Sequence, residues 1–150
     1  MLTNACKYAI RAIIYLAMKS DSDNKFSAKK IAEQLEIPQP FLAQLLRTLT
    51  SYKQVSSMKG PGGGFFLNED NLSNTLWDIV VSIDGEYKFD DCFLGLVKCD
   101  NTNPCPVHHL VAPFKEALLD DFKKKTLSEI VREIEENGTV ISLKGLDHPN

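Results

Sequence analysis

The hexapeptide Lys59-Gly60-Pro61-Gly62-Gly63-Gly64 limits the architecture more than any other stretch. Its glycines and proline cannot continue a helix or a long strand. They allow left-handed turns and a close approach of backbone to another surface. Gln54-Val55-Ser56-Ser57-Met58 stands on one side and Phe65-Phe66-Leu67 on the other. Both flanks suit strands, so the segment predicts a hairpin with a glycine tip.

What precedes the hairpin gives it meaning. Thr3 to Lys19 reads as a helix capped by Thr3 or Asn4, apolar around nearly its whole circumference. Such a helix needs cover on more than one side, and in a small protein the second cover is expected from a partner subunit. After the polar turn Asp21–Lys25, Ser27 caps a short helix to about Leu35, which Glu36-Ile37-Pro38 ends. Pro40 suits the first turn of a third helix, Gln39 to Ser51. Phe41, Leu42, Leu45, Leu46 and Leu49 share one arc of it, and Ala43, Gln44, Arg47, Thr48 and Ser51 the other. Two helices joined by a tight turn, the second polar and basic outside, followed by a hairpin, predict a winged helix-turn-helix.

Charge agrees with that reading. Residues 1–66 hold nine Lys/Arg against four Asp/Glu, and residues 67–150 hold eight against sixteen. One half is therefore suited to a polyanion and the other is not. At 43% hydrophobic and 25% charged residues, the chain is not disordered throughout, collagen-like or one long coiled coil. Its longest apolar stretch, Ala9 to Met18, is too short to span a bilayer and lacks a cleavage pattern after it. A cytoplasmic protein with no membrane partner is expected. With three histidines, no phosphate-binding signature, no nucleophile elbow and no paired acids in a cleft pattern, the chain does not read as an enzyme.

Beyond the hairpin, Ser73 is expected to cap a helix through Ile83, with Leu72 stapled against Trp77. Residues 84–106 have no period. A final helical region runs from Val107 to Lys125, roughly 27 Å if unbroken. Pro113 implies either a bend there or regular structure beginning at Pro113. Thr126-Leu127-Ser128-Glu129 is a capping box opening one more helix, which Gly138 ends. The expected organisation is a DNA-binding domain over 1–83, a cysteine loop over 84–106, a dimerisation helix and C-terminal helix over 107–136, and a tail over 137–150.

The loop carries Cys92-x6-Cys99-x5-Cys105-x2-His108. Three thiols and an imidazole suit an iron–sulfur cluster or a zinc ion, though the close pairs of zinc ribbons are absent. Unligated thiols are the alternative. Cys6, on the apolar first helix, reads as a small buried residue. His148 is given no role.

These features together resemble the bacterial Rrf-type winged-helix regulators, the group of IscR, NsrR and CymR, and its IscR-like cluster-binding branch most. The resemblance covers roughly residues 1–135. It rests on Tyr8-Ala9, Ile37-Pro38, Phe41-Leu42, Leu45-Leu46, the wing Lys59–Phe65, the cysteine triplet with His108, and Thr126-Leu127. It implies a mainly α fold with a small β-hairpin wing and a long dimerisation helix. It further implies a homodimer whose paired heads read a palindromic operator in double-stranded DNA. Cluster-binding members use the three cysteines, with histidine as fourth ligand in the IscR-like branch and an acidic residue near the start of the partner chain in the NsrR-like branch. Here that stretch is Cys6-Lys7-Tyr8, without an acid, which favours His108 over a Cys6 from the other chain. The family differs in carrying arginine where Lys59 stands, an acidic residue near Ala43, and a first cysteine gap one residue shorter.

The expected function is a sequence-specific transcriptional regulator sensing iron–sulfur status, redox or nitric oxide. Its cluster, [2Fe–2S] rather than [4Fe–4S], is expected on Cys92, Cys99, Cys105 and His108, if the isolated protein retains one. Lys29, Lys30, Lys53 and Lys59 are expected at phosphates, and Gln44, Arg47 and Thr48 at base edges. Gln39, Ser51, Gly62 and Gly63 complete the expected DNA face. The alternatives are a cluster-free thiol or zinc regulator, and a regulator acting through a protein partner.

Overall fold

A computed structural model describes residues 1–139. The expected tail, with His148, lies outside the described residues from 140 onward. The elements are α1 (Asn4–Lys19), α2 (Ala28–Leu35), α3 (Gln39–Ser51), β1 (Ser56–Met58), β2 (Gly64–Phe66), α4 (Glu69–Leu72), α5 (Leu76–Asp84), α6 (His108–Lys124) and α7 (Leu127–Asn137).

Helix α1 is the pillar. Thr3 caps it, its Oγ1 accepting from the Cys6 N–H, and the Thr3 backbone N–H and hydroxyl both donate to the Asp84 carboxylate at the end of α5. Ala9, Ala12, Ile13 and Leu16 are fully buried in one cluster with Ile31, Leu42, Leu46, Leu49, Ile79 and Leu127. A second cluster joins Cys6, Val80 and Phe89 to Trp77, Leu118 and Phe122. The second cover expected from a partner subunit is thus supplied by α5 and α7 of the same chain.

Local chemistry sets the boundaries. Ser27 caps α2, and Glu36 ends it in a left-handed conformation (φ 55°), while Arg11 donates to the Leu35 carbonyl at 2.8 Å. Pro40 lies in the first turn of α3, where its missing N–H costs nothing. Leu42, Leu45, Leu46 and Leu49 are buried as expected, but Phe41 is 40% exposed. It stands at the edge of the apolar arc and meets only the rim of α1, edge-on to Tyr8.

The hairpin is antiparallel with Ser57 opposite Phe65. Phe26 extends it by an isolated bridge, exchanging both backbone hydrogen bonds with Phe65 at 2.8–2.9 Å. Ser73 does not start α5. A short α4 capped by Asn68 intervenes, and Thr75 caps α5 in a box with Asp78, since only that spacing returns the carboxylate to the Thr75 N–H. The staple also fails: Leu72 joins the α1 cluster while Trp77 packs on Phe89.

Helix α6 runs unbroken through Pro113, so regular structure begins at His108 and not at the proline. Thr126 caps α7 in a box with Glu129, and the Leu127 N–H donates to the Asn74 carbonyl at 2.9 Å. Leu127 is thereby carried into the α1 core, fully buried.

Two buried amides fix the turn between α3 and the hairpin. Asn71 Nδ2 donates to the Lys53 carbonyl at 2.9 Å, and its Oδ1 accepts from the Ser56 hydroxyl at 2.7 Å and the Asn68 N–H at 2.9 Å. Gln54 Nε2 donates to the Asp78 carbonyl at 2.8 Å, and its Oε1 accepts from Ser82 at 2.7 Å. Asn71→Ala strands these partners and is expected to cost about 1–3 kcal/mol in urea unfolding.

Candidate nucleic-acid interface and cysteine loop

The outer face of α3 is exposed at Gln39, Gln44, Arg47 and Ser51, and partly at Thr48. Arg47 Nη2 donates to Gln44 Oε1 at 2.9 Å, which orients the guanidinium on the helix. Thr48 and Ser51 give their hydroxyl protons to carbonyls of their own helix, those of Gln44 and Thr48. In that arrangement their outward oxygens can accept from a base amine.

Lys29 and Lys30 are exposed in the first turn of α2. Cations at a helix N-terminus oppose its dipole, so these two lysines do not serve the helix. Lys53 is exposed in a left-handed conformation (φ 59°), and Lys59 is exposed at the start of the glycine tip. The ion pairs among the described residues are Lys88–Asp91, Lys124–Asp120 and Lys125–Glu133, all in the acidic half. The basic groups of the head thus carry no intramolecular carboxylate partner among the described residues.

Between α3 and the hairpin runs a groove of about 350 Å³ lined by Arg47, Thr50, Ser57, Met58, Lys59, Gly64 and Phe65. The sequence reading missed Thr50, Ser57 and Met58. Strand alternation could have flagged Ser57, but the other two depend on how the hairpin leans on α3. The tip glycines differ in necessity. A Cβ at Gly64 (φ +145°) would stand 2.7 Å from the Phe26 carbonyl oxygen, whereas Gly62 (φ +72°) has open space around it.

In the loop, Cys99 and His108 stand together. Cys99 Sγ lies 3.5 Å from His108 Nδ1, and His108 Nε2 lies 2.6 Å from Asn101 Oδ1. His108 is thus held between Cys99 and Asn101 through its two ring nitrogens. Cys92 is buried, and the backbone N–H groups of Leu94 and Leu96, the Cys105 side chain and the Lys115 charge hold its thiol below the ordinary value despite burial. Among the described residues no three His, Cys, Asp or Glu side chains come together as a metal-holding group. His109 is exposed. Cys6 is fully buried, and desolvation, with the Asp84 charge adding to it, pushes its thiol up to about 12. It is buried in the core, as the sequence implied.

A family model described as Rrf2, iron-dependent transcriptional regulator, matches residues 2–133. The chain belongs to the Rrf2 family. It is 36% identical over 133 residues to a helix-turn-helix-type transcriptional regulator of Aquifex aeolicus, covering 87% of this chain and 91% of the relative. It is 28% identical over 147 residues to the regulator IscR of Escherichia coli, covering 98% and 87%. Among solved structures, CymR of B. subtilis, the global cysteine regulator, superposes with a TM-score of 0.70 at 21% identity, covering 89% and 97%. T. potens IscR gives 0.67 at 20% identity, covering 93% and 92%. The fold is therefore a winged helix-turn-helix, and this Rrf2 protein is a DNA-binding transcriptional regulator whose relatives are regulators and not enzymes. No helix among the described residues is long and apolar enough to cross a membrane.

Gly64→Ala is expected to destabilise the protein by about 1–3 kcal/mol and to loosen the wing, since neither backbone can yield. Gly62→Ala should cost only about 1 kcal/mol. Chemical denaturation of the two variants side by side checks this ordering.

Proposed function

We propose that this Rrf2 regulator binds a palindromic operator as a homodimer, and that an iron–sulfur cluster in the 84–106 loop sets its affinity. The Cys99–His108 contact at 3.5 Å carries the cluster half of this reading. One ring nitrogen of the imidazole faces the Cys99 sulfur, and Asn101 at the other is the outer partner that orients it. The donor chemistry of three thiols and one imidazole fits the group. An imidazole beside thiols is a donor combination met on [2Fe–2S] centres, which favours [2Fe–2S] over [4Fe–4S]. When bound, the cluster would supply a redox-active, oxidant- and nitric-oxide-labile centre. The residues of the chain do the rest: Cys99 N–H donates to the Asp90 carbonyl at 2.8 Å, and Lys115 to the Asp91 carbonyl at 2.7 Å, holding the loop to α6.

On the DNA side, the unpaired cations support the assignment. Lys29, Lys30, Lys53 and Lys59 take phosphates, and Arg47 reads a base edge with Gln44 and Thr48 beside it. Gln39 and Ser51 flank them, and Gly62 and Gly63 allow the wing close to the duplex. For the dimer, α6 leaves Leu110 and Phe114 outward at 66% and 57% exposure, and a second copy is the proposed cover. The head over 1–83, the loop over 84–106 and the dimerisation region over 107–136 would then act as one assembly. A cluster-free thiol reading is favoured by one observation only: no three donors converge among the described residues.

Anaerobic purification with iron, sulfide and absorption measurements decides between them. The wild type is expected to be coloured and Cys99→Ser colourless; colour retained in that variant overturns the ligand set. In binding titrations against operator and random duplex, Arg47→Ala should lose about 1–3 kcal/mol of discrimination at one position per half-site. Lys59→Ala should weaken all sequences alike and lower the salt slope by about 1. Lys53→Gly should weaken DNA binding while stabilising the fold by up to ~1 kcal/mol, because glycine accepts the left-handed turn. Unchanged DNA binding would remove Lys53 from the interface.

A further inference from the structure

Lys115, on α6, is only 9% exposed. Its ammonium donates to the Asp91 carbonyl at 2.7 Å, and it belongs to none of the ion pairs among the described residues. Burying a cation against a neutral carbonyl costs far more than that hydrogen bond returns. Such a position calls for an anion.

The surroundings say where the anion belongs. Lys115 lines a cavity of about 410 Å³ together with Cys92, and a second of about 150 Å³ together with Cys99 and His108. Phe89 is the other residue common to both. The side chain therefore stands beside Cys92 in one cavity and beside Cys99 and His108 in the other. Lys88 and Asp91 face the larger cavity, where they pair with each other at 3.9 Å. Asp90 and Glu116 face the smaller one, and neither pairs with Lys115.

We propose that Lys115 is the counter-charge for the anionic centre held by Cys92, Cys99, Cys105 and His108, and that it raises the reduction potential of that centre. The assignment rests on the cluster reading above. A cluster ligated by three thiolates is negative, and reduction adds one more negative charge. A fixed cation nearby favours the reduced form more than the oxidised one. Lys115 touches the loop backbone and shares cavities with Cys92, Cys99 and His108, so it is a positioning and tuning residue rather than a ligand.

The test compares wild type, Lys115→Met and Lys115→Arg, purified anaerobically. Lys115→Met should shift the midpoint to more negative potential in spectroelectrochemical titration and lose the cluster faster to a chelator. Lys115→Arg should return both toward wild type. Metal-free Lys115→Met should unfold at the same urea concentration as metal-free wild type or higher, because a buried cation has gone. A colourless Lys115→Met restored by Lys115→Arg also supports the assignment, and one not restored overturns it. An unmoved midpoint, or a metal-free Lys115→Met less stable than wild type, reduces Lys115 to a tie on the Asp91 carbonyl. A colourless wild type overturns the cluster reading and this assignment with it; a coloured wild type with an unmoved midpoint overturns the assignment alone.

Discussion

Everything in the molecule hangs on the burial of α1. Cys6, Ala9, Ala12, Ile13 and Leu16 are at zero exposure, while Lys7 is exposed and Tyr8, Ile10, Arg11 and Ile14 are half-buried on the other side. Small residues at Ala9 and Ala12 bring neighbouring helices close, and larger ones at Ile13 and Leu16 fill the space between α2, α3, α5 and α7. Each fully buried side chain of this size is worth roughly 1.5–3 kcal/mol. The reading helix α3 and the returning helix α7 are thus seated on the same support.

That shared support gives α5 a double duty. Its N-terminal half holds the turn after α3 through Gln54, and its C-terminal Asp84 holds the start of α1 through Thr3. Trp77 of α5 meets Phe89 at the root of the loop, and Phe89 in turn meets Phe122 of α6. Phe89, packed between Trp77 and Phe122, is thus where the head, the loop and α6 meet, just after the exposed Glu86 and Tyr87. Ordering of the loop would be felt by α5, and α5 is the element that fixes how α3 meets the wing.

Local rules were enough for the elements with strong periods and caps. Ser27, Pro40, the glycine tip and the Thr126 box each predict their element because one side chain or one missing N–H decides the matter within a single turn of chain. The failures are tertiary. Ser73 and Thr75 both look like caps, and the choice fell to Thr75 because Asp78 stands three residues on and the Lys125 carbonyl receives the Leu76 N–H. Phe41 fits the apolar arc of α3, yet the edge of Tyr8 on α1 covers it only in part. For the site, the donor types were visible in sequence, but not the contact of Cys99 with His108, which depends on how an irregular loop folds over α6. Lys115 carried no signal at all, since a lysine on an amphipathic helix reads as solvated until its burial is seen.

Pro113 gives α6 an uneven mechanical character. Lacking an N–H, it removes the bond that the His109 carbonyl would otherwise accept one turn back. The opening turn of the helix, with His108 in it, is therefore tethered to the remaining turns by fewer rungs than any other part. An imidazole mounted there can tilt with its own turn while the shaft beyond the proline stays still, so gain or loss of a ligand at that end need not disturb the long rod that follows.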